Sequence, residues 1–239
     1  MKKIEKTGNQ IVFTTEINEV LANSIRRYIN QIPVLAVDEV EISRNDSALY
    51  DETIAHRIGL IPLKMEGVAA KKPGKLRLDA KKEGTVYSKE LKGSPAVVYK
   101  NIPITILNNN QEIQLVATVR AGKGSEHSKF SPGLMFYRHV AEIIIDKEFC
   151  EEIKKICPGA EILEKGNKII IIDNQKREIA DFCEGIANKN KKKAEVKIMN
   201  ELLITVESFG QMSMENIFKR SIETLKKDLA YVAKEIGKI

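Results

Sequence analysis

Aromatic residues are scarce in this 239-residue chain: they make up 5% of it, and tryptophan is absent. Its hydrophobic cores must therefore be built mainly from isoleucine, leucine and valine. Apolar residues still reach 43%, which is enough for the chain to fold, and its length suits one large domain or two modest ones. No run approaches the roughly 18 uncharged apolar residues of a membrane-spanning helix, so we expect no membrane contact.

Cysteine and histidine are also few, with three residues of each. An odd number of cysteines argues against a disulfide framework and favours a reducing compartment. The lysine-containing start, MKKIEKTGNQIVF, has no apolar stretch long enough for a secretion signal, so the expected localisation is cytoplasmic.

Motifs for catalysis are missing as well. His56, His127 and His139 form neither an HExxH motif nor a pair spaced by four residues, and no P-loop, dinucleotide-binding glycine motif or nucleophile elbow occurs. No nucleophile lies in a pattern that pairs it with a base, so we predict no catalytic residues in this chain. For His56, a core or interface position is then a better interpretation than catalysis.

The charge balance is basic, with a net charge of +6 and a pI near 9.0. Such a balance favours a polyanionic neighbour, nucleic acid above all. The lysines are spread along the chain, however, as on many solvated surfaces, so both interpretations stay open.

The cysteines raise the question of a metal cluster. Cys157-Pro158 resembles the end of a ferredoxin cluster motif, and the helix–hairpin–helix pattern around it suits a ferredoxin-like module. A four-cysteine cluster needs four thiolates, however, and the chain offers only Cys150, Cys157 and Cys183, without the close C-x2-C spacing. We interpret them as isolated buried thiols. The first 149 residues have no cysteine, which excludes a cysteine-based zinc loop there.

The N-terminal part predicts a strand, a helix and a second strand. Residues 10–17 alternate enough to form the first strand, and residues 34–43 form the second. Between them, Asn18 can cap a helix over 18–32 that Pro33 stops. The apolar face of this helix comprises Val20, Leu21, Ser24, Ile25, Tyr28, Ile29 and Ile32.

The middle of the chain predicts mostly strands. The stretch TIAHRIGLIPL at 53–63 predicts a short helix, and residues 66–75 are typical of a loop. Residues 76–88 predict a pair of strands. Residues 104–119 predict a hairpin around NNNQE, because asparagine tolerates a positive φ. Residues 121–133 lack apolar periodicity and predict a loop.

The pattern then becomes mixed. Residues 139–145 predict a strand, and a helix over 146–159 follows it. A hairpin over 160–173, a helix over 175–189 and a strand over 200–210 complete this part.

The last segment predicts a long amphipathic helix, which Ser213 can cap and Gly237 can end. Apolar residues recur at alternating steps of four and three for almost three heptads. This seam consists of Phe218, Ile222, Leu225, Leu229, Val232 and Ile236. It can pack on its own domain or meet a partner helix, and the pattern alone leaves both open.

Three separated motifs resemble a known family. In chain order they are LANSIRRYINQIPVLAVDEVEI, LYDETIAHRIGLIPL and GKGSEHSKFSP, and the tail ESFGQMSMENIFKRSIETLKKDL continues the similarity. Together they resemble the D-subunit family of archaeal DNA-directed RNA polymerase, the counterpart of the N-terminal domain of the bacterial alpha subunit. The similarity runs nearly from end to end, so we expect a non-catalytic assembly subunit of a DNA-dependent RNA polymerase.

The resemblance implies an α+β fold with three parts. Residues 1–43 and 194–239 would form a discontinuous dimerisation domain, a sheet with two amphipathic helices. Residues 44–145 would be an inserted mainly-β domain, and residues 146–193 a degenerate ferredoxin-like α/β module.

The resemblance also implies partners. Subunit L would form a heterodimer with this chain, subunits N and P would join, and the platform would recruit the large catalytic subunits, with DNA contacted only indirectly. The expected subunit-L interface comprises Leu21, Ile25, Tyr28, Ile29, Phe218, Ile222, Leu225, Leu229 and Val232. The expected large-subunit interface comprises Asn23, Arg26, Arg27, His56, Arg57 and Leu60.

The resemblance raises the question of cofactors too. Some relatives carry iron–sulfur clusters in the inserted module, eukaryotic relatives carry a zinc loop, and the catalytic magnesium belongs to the largest subunit. Because the ligand set here is incomplete, we expect no iron–sulfur cluster, no zinc and no other cofactor. Two rival hypotheses are a ferredoxin-like electron carrier and an independent nucleic-acid-binding protein.

Overall fold

The computed structural model describes residues 2–65 and 74–238. Most of the loop predicted at 66–75 lies outside the described residues. Within the described part, no helix is both long enough and apolar enough to cross a membrane.

The chain alternates strands with a few helices. The strands are β1 Lys2–Lys6, β2 Gln10–Thr15, β3 Val34–Asn45, β4 Lys75–Ala80, β5 Gly84–Tyr87, β6 Lys92–Ser94, β7 Pro103–Leu107, β8 Ile113–Gly122, β9 Gly133–Asp146, β10 Glu161–Lys165, β11 Lys168–Asp173 and β12 Glu195–Ser208. The helices are α1 Glu19–Tyr28, α2 Asp51–Gly59, α3 Cys150–Ile156, α4 Ala180–Lys189 and α5 Met214–Ile236, and the short 3-10 helices are Ile29–Gln31, Ser88–Glu90, Ser128–Phe130 and Lys147–Phe149. The mixed α+β class predicted from the sequence is confirmed.

Two compact units share these elements. The first consists of Met1–Ser24 with Met135–Val206, and the second of Ile25–Leu134 with Glu207–Ile239. These bounds differ from the three parts that the resemblance implies, and that division stays a prediction.

The first unit is built on a six-stranded sheet in the order β1-β2-β12-β9-β11-β10. Strand β11 pairs antiparallel with both β9 and β10, so the hairpin predicted at 160–173 is confirmed. Ile169 lies opposite Ile145 and Ile171 opposite Ile143, and all four are buried. Because side chains alternate across a strand, these isoleucines share one face, where residues of α3 and α4 join the same core.

The second unit contains a four-stranded sheet in the order β3-β8-β4-β6 and a two-stranded sheet of β5 and β7. Ile54 and Ile58 of α2 are fully buried in a core with residues of these strands, such as Leu35 and Leu115. Apolar residues at every second position of β8 are buried, as expected for a strand that packs one of its two faces on the core.

Two predicted pairings in this unit are wrong. Strand β8 pairs with β3 and β4 while β7 pairs with β5, so residues 104–119 form no hairpin, although Asn110 does have the expected positive φ of 62°. Strands β4 and β5 likewise lie in different sheets. Alternation along a chain identifies a strand but not its partner, because the partner is chosen by packing against distant residues.

Helix α1 is shorter than predicted. Asn18 caps it as expected, since its Oδ1 accepts from the backbone N–H of Leu21 at 2.8 Å. The α-helix ends at Tyr28, and a 3-10 turn continues to Gln31. Ile32 is extended, with ψ of 124°, because a residue before proline is displaced from the helical region. The predicted short helix at 53–63 is confirmed as α2.

Candidate functional site

Helix α5 has a buried beginning and an exposed end. Ser213 caps it by accepting from the N–H of Asn216 at 3.3 Å, as the sequence predicts. Met214 and Ile217 are buried, and the seam residues Phe218, Ile222 and Leu225 are half-buried. The rest of the seam is open: the exposed fractions are 59% at Leu229, 51% at Val232 and 64% at Ile236. Exposed apolar side chains aligned on one helix face are a common feature of surfaces that bind other proteins.

The end of α1 belongs to the same unit as α5. Desolvation raises the pKa of the Tyr28 hydroxyl, and a hydrogen bond to Asp228 of α5 raises it further. Ile25 and Ile29 are buried within the chain itself, whereas Leu21 is exposed. The predicted subunit-L residues therefore include both buried and exposed side chains, and their role stays a prediction.

The predicted large-subunit residues lie on α1 and α2. Arg26 and Arg27 are exposed in the last turn of α1, where a positive charge interacts favourably with the negative end of the helix dipole. Asn23 is half-buried. On α2, His56 is exposed, and no group of three metal-ligating side chains is found among the described residues. Arg57 donates from Nη1 to the carbonyl oxygen of Ile104 at 2.9 Å.

The segment 121–133 is held by close backbone packing, a role that its lack of periodicity did not reveal. A Cβ on Gly122 would lie 2.6 Å from the Phe130 ring, and one on Gly124 would lie 2.7 Å from Oδ1 of Asn30. The N–H of Ser125 donates to the carbonyl oxygen of Asn30 at 3.1 Å. At Gly122 a side chain would require the buried Phe130 ring to move, whereas at Gly124 the exposed side chain of Asn30 would have to shift.

An ion network covers the buried ring of Phe130. The carboxylate of Asp38 accepts from Arg120 Nε at 2.8 Å and from Lys129 Nζ at 3.0 Å. Hydrogen bonds from these two cations hold the pKa of the Asp38 carboxyl below its ordinary value. Both cations also lie over the Phe130 ring, at 4.7 and 5.1 Å from its centroid.

A groove lies between α2 and the segment 121–133. Its apolar lining includes Val37, Val40 and Ala55, and its polar lining includes His56, His127 and Lys129. We call it the α2 groove. It brings two of the chain's three histidines, 71 positions apart, to one surface.

The cysteines are buried in the first unit. Cys150, Cys157 and Cys183 are unpaired thiols in the core that α3 and α4 cover. The pKa of Cys183 is raised to about 12, chiefly by burial and to a smaller extent by the nearby Cys157 and Asp173. A thiol of that pKa is protonated near neutral pH.

The comparisons with known proteins agree with the motifs. Residues 40–135 match the family described as the RNA polymerase Rpb3/RpoA insert domain. The DNA-directed RNA polymerase subunit Rpo3 of Thermococcus kodakarensis is 31% identical over 100% of this chain and 98% of its own length. The chain belongs to the Rpo3 family. The Rpo3 subunit of Pyrococcus furiosus is 32% identical over 99% of this chain, and that of Methanocaldococcus jannaschii is 33% identical over 71%.

Membership of the Rpo3 family confirms the resemblance drawn from the three motifs. None of these relatives is named as an electron carrier or as an independent nucleic-acid-binding protein, so neither rival hypothesis gains support.

Proposed function

We propose that this chain is a non-catalytic assembly subunit of a DNA-directed RNA polymerase. The observation that carries the proposal is the match to Rpo3 subunits over the whole chain. Its sequence offers no nucleophile–base pattern, and the described residues bring no three metal-ligating side chains together. The role that fits is to hold other subunits in place in the cytoplasm during transcription.

The proposed first partner is subunit L. The exposed end of the α5 seam supports this pairing, since Leu229, Val232 and Ile236 form an apolar stripe on a helix whose first turns are anchored in the chain. A second helix laid along the stripe would remove these side chains from water, which favours association.

The further partners are subunits N and P and the large catalytic subunits. The proposed large-subunit surface comprises Asn23, Arg26, Arg27, His56, Arg57 and Leu60. Arginine and histidine side chains at such a surface can pair with carboxylates or carbonyls while apolar neighbours pack. Contact with DNA is then indirect, through the assembled enzyme.

The proposed architecture is the one that the resemblance implies. Residues 1–43 and 194–239 form the dimerisation domain, and residues 44–145 form the inserted mainly-β domain. The β-α-β-β-α-β order of β9, α3, β10, β11, α4 and β12 supports a ferredoxin-like module around 146–193. We propose that this module holds no iron–sulfur cluster and the chain no zinc, because three cysteines spaced by 7 and 26 positions give an incomplete ligand set.

Co-purification tests the proposal. The full-length chain carries an affinity tag and is expressed together with the other polymerase subunits, and mass spectrometry identifies what it retains. We expect subunit L to remain bound in high salt and the large subunits to follow. A folded chain that retains neither contradicts the proposal.

A further inference from the structure

The α2 groove has the size of a single side chain. Its volume is about 240 Å³, below the roughly 300–1,000 Å³ of cavities that hold small-molecule ligands. Val37, Val40 and Ala55 supply apolar surface, and Leu60, which is 49% exposed, adds to it. An apolar side chain of a partner would fill this space.

The geometry of His127 fixes where its proton lies. Its Nδ1 accepts from the backbone N–H of Lys129 at 3.1 Å, which caps the short helix Ser128–Phe130. The ring hydrogen of the neutral imidazole is therefore on Nε2, which has no hydrogen-bond partner among the described residues. His127 thus offers a hydrogen-bond donor at the groove.

The other polar groups of the groove also favour a partner that accepts hydrogen bonds. Lys129 is a donor only, and its ammonium holds one oxygen of Asp38. Asp38 is the only carboxylate among the described residues that line the groove, and Arg120 binds its other oxygen. Arg120 also pairs with Glu126, from Nη1 to Oε2 at 3.0 Å, so the two cations and two carboxylates of this network balance one another. The groups left to meet a partner at the groove are donors, namely the Nε2–H of His127 and the remaining N–H groups of Lys129.

The segment that carries His127 and Lys129 is held in place within the chain, which favours binding of a partner. The segment carrying His127 and Lys129 is fixed by Asn30, which accepts from Ser125, and by the ring of Phe130. Side chains that are ordered before binding lose little entropy on binding.

We propose that the α2 groove receives an apolar side chain with an adjacent carboxylate from a large catalytic subunit. The inference rests on the proposed function, because it takes His56 and Leu60 as part of the large-subunit surface. None of the residues that line the groove lies on α1 or α5, so the groove is separate from the seam proposed for subunit L. The carboxylate pairs with the donors of His127 and Lys129, and the apolar side chain packs on Val37 and Val40.

Two substitutions of nearly equal shape at one position test the carboxylate. In both His127→Asn and His127→Asp, the side-chain oxygen can still accept from the N–H of Lys129, because both residues cap helices well. They differ in the second group, which is a donor in asparagine and an anion in aspartate. We expect H127N to retain the large subunits and H127D to retain at least about tenfold less, because like charges repel at an interface.

Retained subunit L is the control in this experiment, since it shows that each variant is folded and competent for its first partner. Equal recruitment of the large subunits by both variants, whether strong or weak, overturns the proposed carboxylate. If the unchanged chain recruits no large subunit, the proposed function itself fails instead.

Photo-crosslinking tests the occupant independently of any loss of binding. A photoreactive amino acid replaces His56 at the rim or, as a matched control, the exposed Thr53 of the same helix, which does not line the groove. We expect a crosslink to a large subunit from position 56, at a peptide containing aspartate or glutamate, and a much weaker one from position 53. A crosslink from position 56 to subunit L, N or P or to DNA, or none in an assembly that contains the large subunits, overturns the inference.

Discussion

Nε2 of His139 lies 2.8 Å from Oε1 of Glu19, although 120 positions separate the two residues. The other ring nitrogen, Nδ1, lies 2.9 Å from the carbonyl oxygen of Met199. A carbonyl oxygen only accepts, so Nδ1 is the donor in the contact with Met199. The start of α1 is thereby tied to strands β9 and β12 within the first unit.

Removing this tie should weaken the folded state slightly. Both side chains are partly exposed, so Glu19→Ala should lower the free energy of unfolding by about 0.2–1 kcal/mol in urea titrations. A double-mutant cycle with His139→Ala isolates the pair from other effects of the two substitutions. Strict additivity in the cycle would mean that the contact contributes nothing.

The α5 seam yields a sharper prediction. In the double variant Leu229→Asp with Val232→Asp, both changes lie on side chains that are exposed in the chain alone, so its fold should survive. Binding to subunit L should fall by at least about a hundredfold, because carboxylates buried without partners cost several kcal/mol. Lys227→Asp, at an exposed position off the seam, is the control. Undiminished affinity in a titration of the double variant would remove α5 from the interface.

A substitution at Arg57 tests whether the surface proposed for the large subunits is separate from the one proposed for subunit L. Arg57→Glu should leave the complex with subunit L intact and reduce recruitment of the large subunits by about tenfold. The variant also loses the hydrogen bond to Ile104, so Arg57→Met, which loses it without adding negative charge, serves as the comparison. Loss of subunit L from a folded R57E chain would show that this surface has been assigned wrongly.

Cys183 should be chemically silent in the folded protein. Its raised pKa of about 12 leaves almost no thiolate at pH 8, and its side chain is buried, so iodoacetamide should not label it until the chain unfolds. Mass spectrometry of the alkylated peptides measures this. Labelling of Cys183 in the native protein at the rate of the unfolded chain would contradict it.

The raised pKa of Cys183 also determines how the free energy of unfolding changes with pH. The folded state favours the protonated thiol, so its contribution to stability is complete below the thiol's ordinary pKa and is lost as pH rises toward about 12. The free energy of unfolding should therefore fall more steeply above pH 9 in the unchanged chain than in Cys183→Ala.

Iron analysis tests the prediction that the chain holds no iron–sulfur cluster. Protein prepared without oxygen should contain neither iron nor acid-labile sulfide in stoichiometric amounts, and replacing all three cysteines with alanine or serine should spare assembly. Ile143, Ile145, Ile169 and Ile171 belong to the buried core of this part, which should keep it folded without metal. Stoichiometric iron with labile sulfide would mean that another ligand or chain completes the site.

Local features of the fold could be predicted from the sequence, and distant ones could not. The caps at Asn18 and Ser213, the hairpin of β10 and β11 and the seam on α5 depend on residues close in sequence. The partners of β7 and β8 depend on which strands pack beside them, information that alternation does not contain. The same limit applies to the α2 groove, because nothing in the spacing of His56 and His127 indicates that α2 and the segment 121–133 meet.

The position of the Phe130 ring over Gly122 also restricts how β8 can align with β3. In the folded chain Val34 lies opposite Gly122, the position where a Cβ would collide with the ring. A slip of β8 by one residue would bring Ala121 or Lys123 under the ring in place of the glycine and would turn the buried face of β8 outward. The ring can therefore pack on β8 in only one alignment of that strand. In a misaligned sheet, the segment 121–133, which lines the α2 groove, cannot adopt its folded conformation.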